Sequence, residues 1–205
     1  MNQYPLIIIA ISVLCFAGCQ DNSVFTGSTN GDGQLYPLKV GNYWNYTYQR
    51  YDSSGVAIDT TKWAEVVDGD TSIGGQKYYS IADAFTRFIG FKMYYTNKVD
   101  GVYLFLFDTN SFSMVYKYPA KVNDLVIRYS DTLQVVSMRQ TVKTPAGEFD
   151  CVVYQKVTRI NAIWSYERTY ISPGIGKIEV EAGYSRDKIS MSRISLLQLE
   201  SYKIL

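Results

Sequence analysis

The chain has 205 residues, with 20 basic and 19 acidic side chains, a formal net charge of +1 and no histidine. A near-neutral balance without a basic run argues against a nucleic-acid-binding face. The missing imidazole removes Ser-His-Asp, Cys-His and His-based zinc chemistry together.

An apolar run extends from Leu6 to Phe16, closes on Gly18-Cys19 and gives way to Gln20-Asp21-Asn22. A membrane-spanning helix needs roughly 20 apolar residues, whereas a shorter run ending in small residues fits a signal segment and its cleavage site. A buried N-terminal strand is the competing reading. Phe16-Ala17-Gly18-Cys19 resembles the lipobox of bacterial lipoproteins. That resemblance implies cleavage before Cys19, a diacylglyceryl group on its sulfur, fatty acylation of the new amino terminus (palmitate being the usual chain), and a membrane partner reached through the lipid. With Gln20 rather than Asp after the cysteine, it also implies the cell envelope, and within it the outer membrane. Each buried methylene contributes about 0.8 kcal/mol, so two or more chains hold a protein stably.

These features divide the chain into a signal peptide over 1–18, a lipidated flexible tether over 19–35 and one antiparallel β domain over 36–205. The tether is rich in Ser, Thr, Asn, Asp and Gly, as in Thr26-Gly27-Ser28-Thr29-Asn30-Gly31-Asp32-Gly33, and lacks the apolar surface needed to order itself. Of three cysteines, Cys15 leaves with the signal and Cys19 carries lipid. Cys151 is left without an intrachain partner and reads as a small buried hydrophobe.

From Tyr36 onward, short alternating runs are separated by turn residues. In Tyr43 to Tyr51, Trp44, Tyr46 and Tyr48 share one face, the pattern of a half-buried strand. Ile89, Phe91, Met93 and Tyr95 alternate in the same way. Val102 to Phe107 is apolar on both faces, the mark of a strand lying between two layers or beside an apolar cavity. Its alternation sets Tyr103, Phe105 and Phe107 on one side as candidate contacts for an apolar ligand, with Val102, Leu104 and Leu106 on the other. Val99-Asp100-Gly101, Pro145-Ala146-Gly147 and Pro173-Gly174 supply hairpin turns, the second between Thr132–Thr144 and Glu148–Ile160. Ile178, Val180 and Ala182 oppose Lys177, Glu179 and Glu181, which read as a wet face. Ile194 to Ile204 is the best helix candidate but alternates more like a strand. About ten antiparallel strands are expected, in one strongly curved sheet, half barrel or barrel with little helix outside the signal; a β-sandwich is the alternative.

Few motifs carry chemistry. Asp68-Gly69-Asp70 reads as a solvated hairpin tip. Glu179 and Glu181 lie roughly 7 Å apart along a strand, a spacing compatible with glycoside hydrolysis, but they read as surface. Ser185-Arg186-Asp187-Lys188 has the Ser-x-x-Lys spacing of penicillin-recognising enzymes without their other motifs. No catalytic, metal-binding or cofactor-binding residue is assigned.

Three segments in order, Tyr36-Pro37-Leu38-Lys39-Val40-Gly41-Asn42-Tyr43-Trp44-Asn45-Tyr46, Thr144-Pro145-Ala146-Gly147-Glu148-Phe149-Asp150-Cys151 and Ser172-Pro173-Gly174-Ile175-Gly176-Lys177-Ile178, resemble an uncharacterised group of bacterial lipoproteins and periplasmic β-proteins. The resemblance implies an antiparallel β fold similar to the half barrels of lipoprotein-localisation factors, and it transfers no active-site residues. The leading expectation is a non-catalytic envelope module that binds or scaffolds other envelope proteins. Carriage or sensing of a lipid or other apolar small molecule is the alternative, and a histidine-free hydrolase comes last. A side-chain-filled core with an exposed aromatic patch would favour the first, and a solvent-filled core the second.

Overall fold

A computed structural model describes residues 34–83, 92–128, 131–186 and 192–205. Cys19, the signal segment and nearly all of the tether lie outside them, as do Ile89, Phe91 and Lys188. Every regular element among the described residues is a strand. In chain order they are β1 (Tyr43–Tyr51), β2 (Ala57–Ile73), β3 (Gln76–Asp83), β4 (Met93–Lys98), β5 (Gly101–Leu106) and β6 (Ser111–Lys117). The second half holds β7 (Leu125–Ile127), β8 (Thr132–Thr144), β9 (Gly147–Ile160), β10 (Ile163–Ser172), β11 (Gly176–Ser185) and β12 (Ser192–Lys203).

All twelve belong to one antiparallel sheet in the order β6-β5-β4-β3-β2-β1-β12-β11-β10-β9-β8-β7. The first and last strands pair in its middle, with Tyr46 opposite Leu199 and Tyr48 opposite Leu197. The two edges, β6 and β7, follow each other in the chain and approach one another, but no ladder joins them. The sheet is therefore a nearly closed barrel with a single seam. Curvature has a local cause: bulges interrupt the ladders between β1 and β12, β2 and β3, β5 and β6, β8 and β9, β10 and β11, and β11 and β12. Each bulge adds twist and bends its strand.

Turn chemistry sets the hairpins. Gly101, at φ +150°, follows the β4–β5 turn, and a Cβ there would stand 2.2 Å from the Tyr116 carbonyl oxygen, so only glycine fits. The β2–β3 hairpin turns at Gly74-Gly75, both at positive φ. Asp68-Gly69-Asp70 is consequently not a hairpin tip. It lies within β2, and each carboxylate is held by a lysine: Asp68 by Lys92 and Asp70 by Lys77, both at 2.6 Å.

The inner face is filled by side chains. Trp44, Tyr46, Val67, Val152, Tyr154, Ile171, Ile178 and Leu199 are all essentially buried. Gln34 and Leu35, at the expected end of the tether, already belong to the folded body: Gly174 N donates to Gln34 O at 2.9 Å, and Leu35 is buried. Residues 34–42 close one end of the barrel without joining the sheet.

The outer face of β9–β12 is also covered. The ladder of β9 with β10 stops at Val152, so the far half of the β8–β9 hairpin is free of β10 and crosses β11 to β12. Ala146 N donates to Leu199 O at 3.3 Å, and the Phe149 and Tyr202 rings meet edge to face at 6.0 Å. Glu179 and Glu181 lie on this covered face and are 9% and 6% exposed, which corrects their reading as a wet surface. Neighbouring strands supply what a single strand's pattern does not display. Arg168, Arg193 and the Tyr170 hydroxyl all donate to Glu181, and Gln198 donates to Glu179. Cys151 is buried beside them, and its thiol is pushed up to about 12 by burial and by Glu179 and Asp150.

Candidate functional site

Two places combine features that packing alone does not require. The first is an aromatic cluster on the outer face of β3–β6. Register sets Tyr94 opposite Phe105 and Phe105 opposite Phe112, while Val102 and Leu104 turn inward. Tyr103, Phe105 and Phe107 thus share a side, as alternation requires, and that side is the outside of the barrel. The Phe105 and Phe107 rings meet edge to face at 4.8 Å, Tyr94 abuts Phe107 at 5.2 Å, and Phe112 stacks on Tyr78 at 5.6 Å. Phe105 and Tyr78 form the buried floor, whereas Phe107 and Phe112 are 63% and 45% exposed. Lys98 Nζ stands 4.3 Å from the Tyr103 ring centroid and 4.7 Å from that of Phe112, a cation–π contact at the margin. The Tyr103 hydroxyl donates to Asp100 at 2.8 Å; burial and that carboxylate raise its pKa to about 12. Beneath Phe112 the Tyr78 hydroxyl is buried with no hydrogen-bond partner among the described residues, a cost that buried polar groups normally avoid.

The second place is inside the barrel, under residues 34–42. Lys177 Nζ binds Glu65 Oε1 at 2.5 Å, and the Tyr36 hydroxyl donates to Glu65 Oε2 at 3.1 Å. Lys177 points inward because the bulge between β10 and β11 pairs Tyr170 with Glu179 but Ile171 with Lys177. One extra residue turns Lys177 away from the face of Glu179 and Glu181. Burial opposes its charge, but Glu65, with Tyr116 and Glu167, outweighs burial and holds the amine above its ordinary value. Beside the pair is a cavity of about 60 Å³ lined by Tyr36, Glu65, Met93, Tyr95, Tyr116 and Lys177 among others. That is room for about two waters. Alternation alone did not reveal this pair; the nearest signal was a lone lysine beside a proline-glycine turn.

Among the described residues no cluster of His, Cys, Asp or Glu could hold a metal ion, and no helix is long and apolar enough to cross a membrane. The paired carboxylates Glu179 and Glu181 are committed to side-chain partners under the hairpin.

No family model and no curated protein matches the chain. Two solved structures align over most of it. One is a candidate lipoprotein from Parabacteroides distasonis, 16% identical, with a TM-score of 0.50 over 83% of this chain and 98% of the other. The second is a candidate exported protein with a YmcC-like fold from Bacteroides fragilis, also 16% identical, with a TM-score of 0.49 over 82% of this chain and 98% of the other. The likeness is one of fold.

Proposed function

We propose that the chain is a non-catalytic lipoprotein of the cell envelope, anchored through Cys19, whose barrel presents the β3–β6 aromatic face to an envelope protein. The observation that carries this reading is the exposure of Phe107 and Phe112 on a ring cluster whose floor is fixed. Contiguous exposed apolar patches on soluble domains commonly mark interaction sites, and aromatic residues are enriched at the centres of interfaces. The filled interior supports a binding surface over carriage of an acyl chain. The cavity that the described residues form beside Glu65 and Lys177, about 60 Å³, is well below the roughly 300 Å³ at which small-molecule pockets begin. The lipobox supports the anchor, and the exported and lipoprotein neighbours accord with an envelope location, with the outer membrane the site implied by Gln20.

A photo-crosslinking residue at position 107, in cells, should give a discrete protein adduct that the same residue at Ile58 does not. Replacing Phe107 and Phe112 together with Ala should abolish binding to that partner while leaving the fold intact. An adduct to lipid, or none specific to position 107, rejects the reading. The anchor is checked separately: Cys19→Ser should move the protein from the detergent phase to the aqueous phase, and continued partition into detergent would place the anchor elsewhere.

A further inference from the structure

Residues 34–42 are unlike the rest of the core. Leu35, Tyr36, Leu38 and Asn42 are buried while Gln34, Lys39, Val40 and Gly41 are exposed, and the segment lies outside the sheet, held by isolated hydrogen bonds rather than a ladder. Asn97 Nδ2 donates to Gln34 Oε1 at 2.9 Å and to Tyr36 O at 2.8 Å, and Asn42 Nδ2 donates to Pro37 O at 2.7 Å. Open grooves of about 690 and 410 Å³ undercut this strap on its two sides, and Gln34 lines both. Gly41, at φ +94°, forms the joint to β1.

What the strap covers is a slot for one ring. Tyr36 tilts against Trp44 at 5.2 Å between centroids, and its hydroxyl reaches Glu65. Gly176 backs the slot: a Cβ there would lie 3.4 Å from both the Tyr36 ring and Trp44 Nε1. The walls do not depend on Tyr36 for their position. Trp44 Nε1 donates to Ile175 O at 2.6 Å, the Tyr46 hydroxyl donates to Lys177 O at 3.1 Å, and Glu65 is held by Lys177. A buried ion pair is weak evidence for stability, since apolar residues of similar volume often do as well. Here it supplies a fixed acceptor at the end of an aromatic slot, with the small cavity next to it.

We propose that this end of the barrel is a binding pocket for a small neutral phenol, and that Tyr36 occupies it as an exchangeable stand-in. The ligand's ring takes the place of the Tyr36 ring between Trp44 and Gly176, and its hydroxyl donates to Glu65 Oε2. A phenolate does not fit, because it would set its charge against that carboxylate in a buried site. Displacement lifts residues 34–38 about Gly41 and exposes Leu35 and Leu38, so the open form is a minor state that the ligand populates. The pocket is independent of the outer aromatic face, and its test is insensitive to Phe107.

The test is hydrogen exchange on the full chain carrying Cys19→Ser, with p-cresol as the probe and toluene as the isostere lacking the hydroxyl. Millimolar p-cresol should accelerate exchange in residues 34–40 by about threefold or more while β1 and β11 keep their protection, as expected of a local opening. Toluene should have no such effect. Tyr36→Phe, which keeps the ring and loses the bond to Glu65, should raise basal exchange of the strap and lower the p-cresol concentration needed. The proposal is overturned if p-cresol leaves strap exchange unchanged in both proteins, if toluene acts equally well, or if all strands lose protection together. Because the parent chain and the Phe variant decide it, collapse of a Tyr36→Ala variant would not matter.

Discussion

Glu65 and Glu181 are buried to nearly the same degree, 7% and 6% exposed, and each is bound by cations, yet their settings differ. Glu65 faces one ammonium, inside the barrel, with a tyrosine hydroxyl as its other partner. The Lys177 and Glu65 side chains are only 18% and 10% exposed, so both charges are largely withdrawn from bulk water. Glu181 faces two guanidiniums on the outer face, with Arg168 and Arg193 side chains 35% and 44% exposed. The inner pair is a closed neutral unit. The outer cluster is a carboxylate roofed by cations that keep their hydration. Burial of the carboxylate alone therefore says little about its energetic weight; the access of its partner to water decides it.

The largest expected effect follows from that contrast. Glu65→Gln leaves the Lys177 ammonium buried and uncompensated, which should cost about 3–5 kcal/mol in urea unfolding. Adding Lys177→Met should recover most of the loss, and a double variant no better than the single one would show that the pair is not a closed unit. The sign with pH is fixed by the raised Lys177 pKa. The stability it adds is complete below the unfolded lysine value and is lost only as pH climbs through the higher folded value, in strongly alkaline solution. Glu181→Gln should cost less, about 1–2 kcal/mol, because Arg168 and Arg193 can turn to solvent. If its unfolding midpoint falls as far as that of Glu65→Gln, exposure of the partner is not the deciding variable.

The same contrast separates what alternation reveals from what it conceals. Period-two patterning within Tyr43–Tyr51 places Trp44 and Tyr46 in the core, and the same rule puts Tyr103, Phe105 and Phe107 together. The Pro145 and Pro173 turns fall where two long hairpins bend, so one curved antiparallel sheet is readable from residues near in sequence. Which side of the Val102–Phe107 strand faces out is not readable, because both are apolar and the choice depends on strands far along the chain. Lys177 is misplaced by alternation because a single bulged residue reverses the faces that follow it. Glu179 and Glu181 look wet because their covering hairpin and their cations come from other strands. Leu35 reads as tether because composition averages over a window, whereas one leucine and one tyrosine suffice to seat the strap.

The smallest expected effect tests the outer cluster from its other carboxylate. Glu179 shares the covered face with Glu181 but forms no ion pair among the described residues; Gln198 Nε2 is its donor at 2.9 Å. Burial raises its pKa, and the neighbouring Glu181 charge adds to that rise, against the opposing pull of Gln198 and Arg193. A carboxyl with a raised folded pKa binds its proton more tightly in the native state, so the native state loses stability relative to the unfolded one as pH rises from the unfolded value through the folded value. Glu179→Gln removes that penalty and keeps an acceptor for Gln198. The variant should therefore be more stable than the parent above the carboxylate range, by about 0.5–1 kcal/mol, the net scale of one intramolecular hydrogen bond. Below that range the parent's Glu179 is protonated and the two should converge. Unfolding midpoints compared at pH 8 and pH 4 decide it. An advantage that is equal at both values would mean that the gain comes from packing, and a loss at pH 8 would mean that the Glu179 charge is wanted by Arg193 after all.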